Sequence, residues 1–474
     1  MERGRPQNNP LSFLDPAPSA EVTYPLEGNT KSQGSHLTLV GQPVGYGLQK
    51  PVFLAWTVIC IAVIITCLLV SDPAHLDLFY IYYQPIIPIV VMFWLWGIAV
   101  RIFERNHIRY DVCFSVKDQR YLLFSRQLFQ VAGIVTTLVL TNTALFSYHC
   151  AIGQLRMASF HPPLVYTSVI AFFLLPANFI FKEERMFFTS TFAKVVTPFR
   201  EVSWADFLLA DILTSLSKPL SDAERGMCHL LAGSVMEPHS SDRMCGSSSW
   251  FIPFGLSLPF AWRLLQCLRV YMDTGNRAQL LNALKYSTAF PVIILSSMNN
   301  HVVDEDRWDY FYKPLWLAAA FINSGYSYYW DVERDWDISF FSNRTGERTF
   351  LKLPKPLLRN DLLYPRMLYI YLMVSNLLLR VSWTYKLSPH LRDNHLTVLC
   401  FTLLEVFRRF QWMFVRIEVE LRKLQTAQPE LGQLVPAPVH STGLGGRIPS
   451  APPVRKPSKG LDVLAEDDQV DGWS

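Results

Sequence analysis

Ten stretches of the chain, at 52–71, 79–100, 126–147, 162–181, 204–230, 250–270, 279–298, 311–331, 364–386 and 395–416, are apolar over close to the ~20 residues that a helix needs to cross a bilayer. Half of the 474 residues are apolar and 17% are charged. That is too apolar for an ordinary soluble domain and too charged for bare membrane helices. The expected fold is an all-α polytopic membrane protein of about ten transmembrane helices, with polar ends. Residues 1–50 are rich in Pro, Asn, Gly and Ser, and residues 425–474 in Pro, Gly and acidic side chains; both read as disordered tails. Between them lie four helices over 51–200 and six over 201–424.

The opening "MERGRPQNNPLSFLDPAPSAEVTYPLEGN" has no apolar core and so is not a cleaved signal peptide. A net charge of +4 gives no reason to expect nucleic acid as a partner. Eight cysteines are scattered without CxxC or Cys/His clusters, so no metal, cofactor or redox motif is expected. Basic residues assign the sides of the membrane. Arg101, Arg105, Arg109, Lys117 and Arg120 follow the second stretch, and Lys182, Arg185, Lys194 and Arg200 the fourth. Arg334, Arg344, Arg348, Lys352, Lys355 and Arg359 follow the eighth. The opposite loops hold Arg156, Arg243, Arg307 and Arg392, which puts both termini in the cytosol. The sequon Asn343-Arg344-Thr345 then falls on the cytosolic side and is expected to be unglycosylated.

Charge inside the apolar stretches is the second constraint. "LEVFRRFQWMFVRIEVE" (404–420) carries Arg408, Arg409 and Arg416 in the last stretch. One arginine near the middle of a membrane helix costs about 2.5–3.5 kcal/mol on insertion scales. At helical spacing Glu405, Arg409, Trp412 and Arg416 share a face, with Arg408 at its edge. Asn376, Arg380 and Trp383 share one in the ninth stretch, and Asp331 and Asp335 are i, i+4 at the end of the eighth. Lys285 and Thr288 are i, i+3. In "ADFLLADILTSLSKPLSD" (205–222), Asp211, Thr214, Ser215, Lys218 and Asp222 fall on one face, with the leucines mostly elsewhere. An Asp–Lys pair four or seven residues apart could merely fasten helices there. Five charged faces are hard to hide from lipid except around a shared polar cavity, where intramembrane charge marks a substrate path. A structural salt-bridge network is the competing reading, and Arg263 and Arg416 could equally snorkel to an interface.

The cations Lys285, Arg380, Arg408 and Arg409 favour an anion, because the guanidinium fork matches carboxylate or phosphate oxygens. The carboxylates Asp211, Asp331, Asp335 and Glu405 would hold those forks in place. Trp383, one turn from Arg380, reads either as a steric gate or as a packing anchor. No Ser/His/Asp arrangement, metal-ligand cluster or Gly-rich phosphate loop supports an enzyme.

The runs "ADFLLADILTSLS" (205–217), "WRLLQCLRVYMDTG" (262–275), "LLNALKYST" (280–288), "YYWDVERDWD" (328–337), "YPRMLYIYLMVSNLLLRVSWT" (364–384) and "LEVFRRFQWMFVRIEVE" resemble the EXS family. That family forms the membrane portion of eukaryotic phosphate exporters and of the yeast Golgi protein Erd. The resemblance covers roughly 200–420, in family order, and makes the last six helices the EXS bundle. It implies a phosphate path through Asp211, Thr214, Lys285, Asp331, Asp335, Arg380, Arg408 and Arg409, with Glu405 supporting and Trp383 as the gate. Thr214 stands where many exporters have Asn, and Met272 where Arg is frequent. No lysine-rich SPX domain is expected ahead of the first helix, which is closer to the Erd branch.

The function expected from this resemblance is transport of inorganic phosphate, returning it from the Golgi lumen to the cytosol. A plasma-membrane exporter and a Golgi adaptor that recycles glycosyltransferases are the alternatives. Expected partners are phosphate and the bilayer, with a second copy of the chain and Golgi glycosyltransferases as further candidates. Family members also tend to carry a cysteine pair in the loop after the fifth helix, which implies a Cys228–Cys245 disulfide. Both cysteines lie on the non-cytosolic side, where disulfides persist, and Cys150 is the rival partner.

Overall fold

The computed structural model describes residues 50–70, 73–236, 245–246, 249–299, 301, 305–338, 362–392 and 394–427. Most of the two expected tails and the Asn343 sequon lie outside the described residues. Every regular element among the described residues is helical. In order they are α1 (Lys50–Val70), α2 (Pro73–Tyr82), α3 (Ile86–Arg105), α4 (Ser125–Ala151), α5 (His161–Leu174), α6 (Lys182–Val196), α7 (Trp204–Ser215) and α8 (Ser217–Leu231). There follow α9 (Phe251–Thr274), α10 (Ala278–Ser287), α11 (Ala289–Met298), α12 (Lys313–Trp330), α13 (Arg366–Val381) and α14 (His395–Ala427).

Among the described residues, five helical stretches are long and apolar enough to cross a membrane: Ile86–Arg105, Ser125–Ala151, Leu155–Leu174, Phe251–Thr274 and Arg366–Leu387. The shorter apolar Ala55–Cys67 lies within α1. The expected stretches depart from single spans for identifiable reasons. The second is interrupted at Tyr83–Pro85, so that only α3 meets the length. The fourth stops at Leu174, two residues before Pro176. The fifth and seventh are each broken three residues before a proline. Pro219 has no N–H for the Ser215 carbonyl and its ring crowds that carbonyl, and the helix breaks at Leu216. Pro291 does the same to Ser287, and the break falls at Thr288. The eighth leaves α-helical geometry at its end, where Asp331–Asp335 form a π-helical turn closed by Trp336 N–H donating to the Asp331 carbonyl at 2.9 Å. The tenth becomes a helix of 33 residues, about 50 Å long, well beyond a hydrocarbon core of about 30 Å.

Two larger apolar cores run through these elements, with a small third one where α9 meets α10 at Cys267, Ala283 and Tyr286. One joins α2–α5 through Tyr82, Tyr83, Val135, Phe146 and Val165. The other joins the far half of α3 to α7, α13 and α14 through Phe103, Leu209, Leu372, Trp412 and Leu421. α9 lies between α8 and α10 and also touches α7. A Cβ at Gly255 would stand 3.3 Å from the Ser221 Cα, so glycine lets α9 close on α8.

Arg185, counted above among the loop cations, is not a loop charge. It is buried at the start of α6, where Nη1 donates to the carbonyls of Phe172 (2.5 Å) and Leu175 (2.9 Å). Nη2 reaches Ala177 and Phe179, and Nε reaches Ile180. This one guanidinium satisfies the carbonyls left where α5 stops.

Candidate functional site

Two buried carboxylates organise the charged side chains. Asp211, near the end of α7, accepts Arg263 Nε from α9 at 2.7 Å and the Tyr286 hydroxyl from α10 at 2.7 Å on the same oxygen. Its other oxygen faces Arg409 Nη1 from α14 at 3.5 Å. Asp331, at the end of α12, takes Arg380 Nη2 at 2.6 Å and Asn376 Nδ2 at 3.2 Å, both from α13. Lys285 Nζ from α10 and Arg408 Nη1 from α14 each stand 3.5 Å away. Asp335 adds a second carboxylate 3.6 Å from Lys285 Nζ and accepts the Trp412 indole N–H at 3.2 Å.

Neighbouring residues thus serve different carboxylates. Lys285 goes to Asp331 and Tyr286 to Asp211; Arg408 goes to Asp331 and Arg409 to Asp211. Successive residues on an α-helix point about 100° apart, so one strand of sequence can face both carboxylates only if its helix runs between them. α10 and α14 do so. The arginine pair lies near the middle of α14, and the ion pairs offset the cost of burying it.

The remaining expected residues support this arrangement. Thr214 Oγ1 donates to the Asp211 carbonyl at 2.7 Å and accepts Arg409 Nη2 at 2.9 Å, so it orients the arginine. Ser215 Oγ accepts Arg409 Nε at 3.2 Å and donates to Glu405 at 2.9 Å. Glu405 holds Arg408 bidentately, at 2.5 and 2.8 Å, and Arg408 Nη1 also reaches Asn376 Oδ1 at 3.2 Å. Trp383 sits one turn past Arg380 on the 3-10 segment Ser382–Leu387. Its indole donates to Ser324 Oγ at 2.9 Å, and its ring meets Trp316 edge-on at 5.5 Å.

Several sequence readings change. Arg263 does not snorkel: its side chain is 3% exposed and it is the nearest cation to Asp211. It stacks on Phe207 and Tyr286 and passes a hydrogen bond to Gln266 at 2.8 Å. Its place halfway along α9, far from either end, is the signal that could have revealed it. Tyr286 was not expected at all, since a tyrosine in a membrane helix carries no such signal. Lys218 and Asp222 do not join the face of Asp211; they pair with each other on α8, beyond the break before Pro219. Arg416 is separate too, paired with Glu420 at 3.1 Å and stacked on Trp204. Met272 is exposed and away from both carboxylates. Cys228 and Cys245 are bonded, with Cα atoms 5.7 Å apart, and Cys150 is free and buried. No group of His, Cys, Asp or Glu suited to a metal ion occurs among the described residues.

The sequence model of the EXS family matches residues 79–421. The chain belongs to the EXS family. The match begins well upstream of residue 201, so the family unit takes in α3–α6 as well as the motif-bearing helices. With the apolar helices above, membership makes the chain an integral membrane protein. The SPX and EXS domain-containing protein 1 of Dictyostelium discoideum is 30% identical over 350 residues, which are 70% of this chain and 36% of that protein. Solute carrier family 53 member 1 of Mus musculus is 32% identical over 329 residues, 64% of this chain and 44% of its own. The xenotropic and polytropic retrovirus receptor 1 homolog of Danio rerio is 32% identical over 321 residues, with the same coverage of 64% and 44%. This EXS chain therefore spans less than half the length of these relatives.

Proposed function

We propose that the chain transports inorganic phosphate through the charged layer formed by α7, α9, α10, α12, α13 and α14. The carrying observation is the layer's charge. Arg263, Lys285, Arg380, Arg408 and Arg409 meet four carboxylates, Asp211, Asp331, Asp335 and Glu405, which leaves one positive charge in excess. A layer built only to fasten helices gains nothing from a surplus buried cation, whose desolvation is unfavourable. An anion balances it. Arg409 Nη1 and Arg380 Nε are buried donors with no hydrogen-bond partner among the described residues. Arg380 Nε can offer its N–H to a tetrahedral oxyanion without giving up an existing bond, and Arg409 Nη1 by loosening only its 3.5 Å ion pair with Asp211. Descriptions of relatives as solute carriers agree with transport, and the motif resemblance supplies phosphate as the cargo.

In this reading Asp211, Asp331 and Asp335 hold the cations apart and keep the anion from binding too tightly, while Trp383 closes the path beyond Arg380. The address and direction we infer from the Erd-like resemblance are the Golgi membrane and lumen to cytosol, with both termini cytosolic. Purified protein in liposomes should pass phosphate down its gradient, and an epitope-tagged chain should co-localise with a Golgi marker. An adaptor that recycles glycosyltransferases predicts no flux in liposomes. Absence of flux from correctly folded protein would overturn the transport reading, and plasma-membrane staining would overturn the address alone.

A further inference from the structure

The stripe of α13 that carries Asn376 and Arg380 continues past the end of the helix. Trp383 and Lys386 lie three apart on the 3-10 segment Ser382–Leu387, where such residues eclipse and each turn rises about 6 Å. Lys386 therefore stands beyond Trp383, on the side away from Arg380. Its side chain is exposed yet crowded by protein, which places it in a recess and not on a convex surface. Glu405 has the same character, 36% exposed although closely surrounded. Tyr385 and Phe401 form the wall between them, with ring centroids 4.3 Å apart and Phe401 one turn before Glu405 on α14.

α8 faces this recess. Its Lys218 and Asp222 form an ion pair, with side chains 43% and 27% exposed. Asp222 lies within Coulombic reach of the Tyr385 hydroxyl, and Lys386 faces the like charge of Lys218. Lys386 has no ion pair or side-chain hydrogen bond of its own among the described residues. Two ammonium groups thus share one carboxylate and repel each other. An anion between them turns that repulsion into attraction.

We infer that Lys218 and Lys386 form a second binding site for inorganic phosphate, at the mouth beyond Trp383. Cys228 lies further along α8, so this mouth is on the disulfide side of the charged layer. The site rests on the transport reading for its role, as the station next to Arg380, but not for the binding itself. Lysine suits a station of exchange. Its point charge on a flexible stem attracts an oxyanion without the planar fork that fixes one, so the anion can pass on.

Lysine footprinting tests the site on the full-length protein. Protein in detergent is acetylated briefly, and modification of Lys218 and Lys386 is measured by mass spectrometry. Inorganic phosphate should slow acetylation of both by roughly threefold or more, whereas chloride at equal ionic strength should not. Lys386→Gln should remove the protection of Lys218, Lys386→Arg should keep it, and Asp222→Asn should strengthen it. In liposomes, Lys386→Gln should raise the phosphate concentration for half-maximal flux by roughly fivefold when phosphate is supplied from the disulfide side. Equal acetylation with and without phosphate overturns the proposal. So does protection by phosphatidylglycerol but not by inorganic phosphate, which would assign the lysines to a lipid headgroup. Protection without flux would keep the site and end the transport reading; flux without protection would do the reverse.

Discussion

The two carboxylates at the centre of the molecule have similar partners and different surroundings. Around Asp211 everything is closed: the Asp211, Arg263 and Arg409 side chains are 1%, 3% and 5% exposed. Around Asp331, Lys285 and Arg408 are just as buried, at 5% and 3%, but Arg380 and the neighbouring carboxylates Asp335 and Glu405 reach outward, at 15%, 13% and 36%. The closed group is bound by short, directed hydrogen bonds from Arg263 and Tyr286 to one oxygen. The open group is bound by several cations, two of them at 3.5 Å. Asp211 therefore sits in a fixed electrostatic joint, whereas Asp331 shares its charge among groups that can exchange partners. In a transport reading the first is a scaffold and the second is where an anion competes.

The largest effect should come from the one sequence element that touches both. Replacing Arg408 and Arg409 together with Ala should reduce phosphate flux in liposomes to background at matched protein level. Lysine at either position should restore part of it, because an ammonium lacks the planar fork. Normal flux in the double variant would end the distinction between scaffold and exchange site, and the path with it.

Next in size is a stability difference. Asp211→Ala strands Arg263 and Arg409 in a sealed region and should cost about 3–5 kcal/mol. Asp331→Ala should cost less, because Arg380 reaches outward and Lys285 and Arg408 keep Asp335 and Glu405 as partners. Thermal melts in detergent measure both, and equal losses would show that exposure does not separate the two groups. Asp211→Asn, which keeps the shape and removes the charge, should retain most of the fold and lose transport; full transport would show that the charge of Asp211 plays no part.

The disulfide restrains the closed side, since Cys228 lies on α8, the continuation of α7. Closing a loop of this size is worth roughly 3 kcal/mol, so Cys245→Ser should lower the melting temperature while flux through the folded protein persists. The smallest stability effect should be Tyr286→Phe, which removes one hydrogen bond to a charged carboxylate, about 1.5–3 kcal/mol. If its flux falls as far as that of the arginine variant, Tyr286 belongs to the path and not to the scaffold.

Most of the cluster around Asp331 was legible in the sequence, and less of the cluster around Asp211 was. Arg380, Asp331, Lys285 and Arg408 stand out because ionisable residues in apolar helices are costly, and the motif runs agree on them. Arg263 was left open, since a single helix does not say whether a cation points to an interface or to a carboxylate on another helix. Tyr286 was hidden because its hydroxyl costs little in a sequence pattern and gains its role only from Asp211, 75 positions away. The helical-face argument also overreached at Lys218: it carried one periodicity through Pro219, and the fold does not. Tyr83–Pro85 misled in the same manner, since hydropathy does not register a missing backbone donor.

Those prolines have a mechanical side. Each deletes one rung from a hydrogen-bonded ladder, at Ser215 and at Ser287, on helices pinned just before the break by Asp211 and Lys285. Bending at Leu216 or Thr288 sacrifices one rung fewer than bending an intact helix. The compliance of α7–α8 and α10–α11 is therefore concentrated within one turn of the charges, and tilting α8 or α11 leaves the ion pairs where they are.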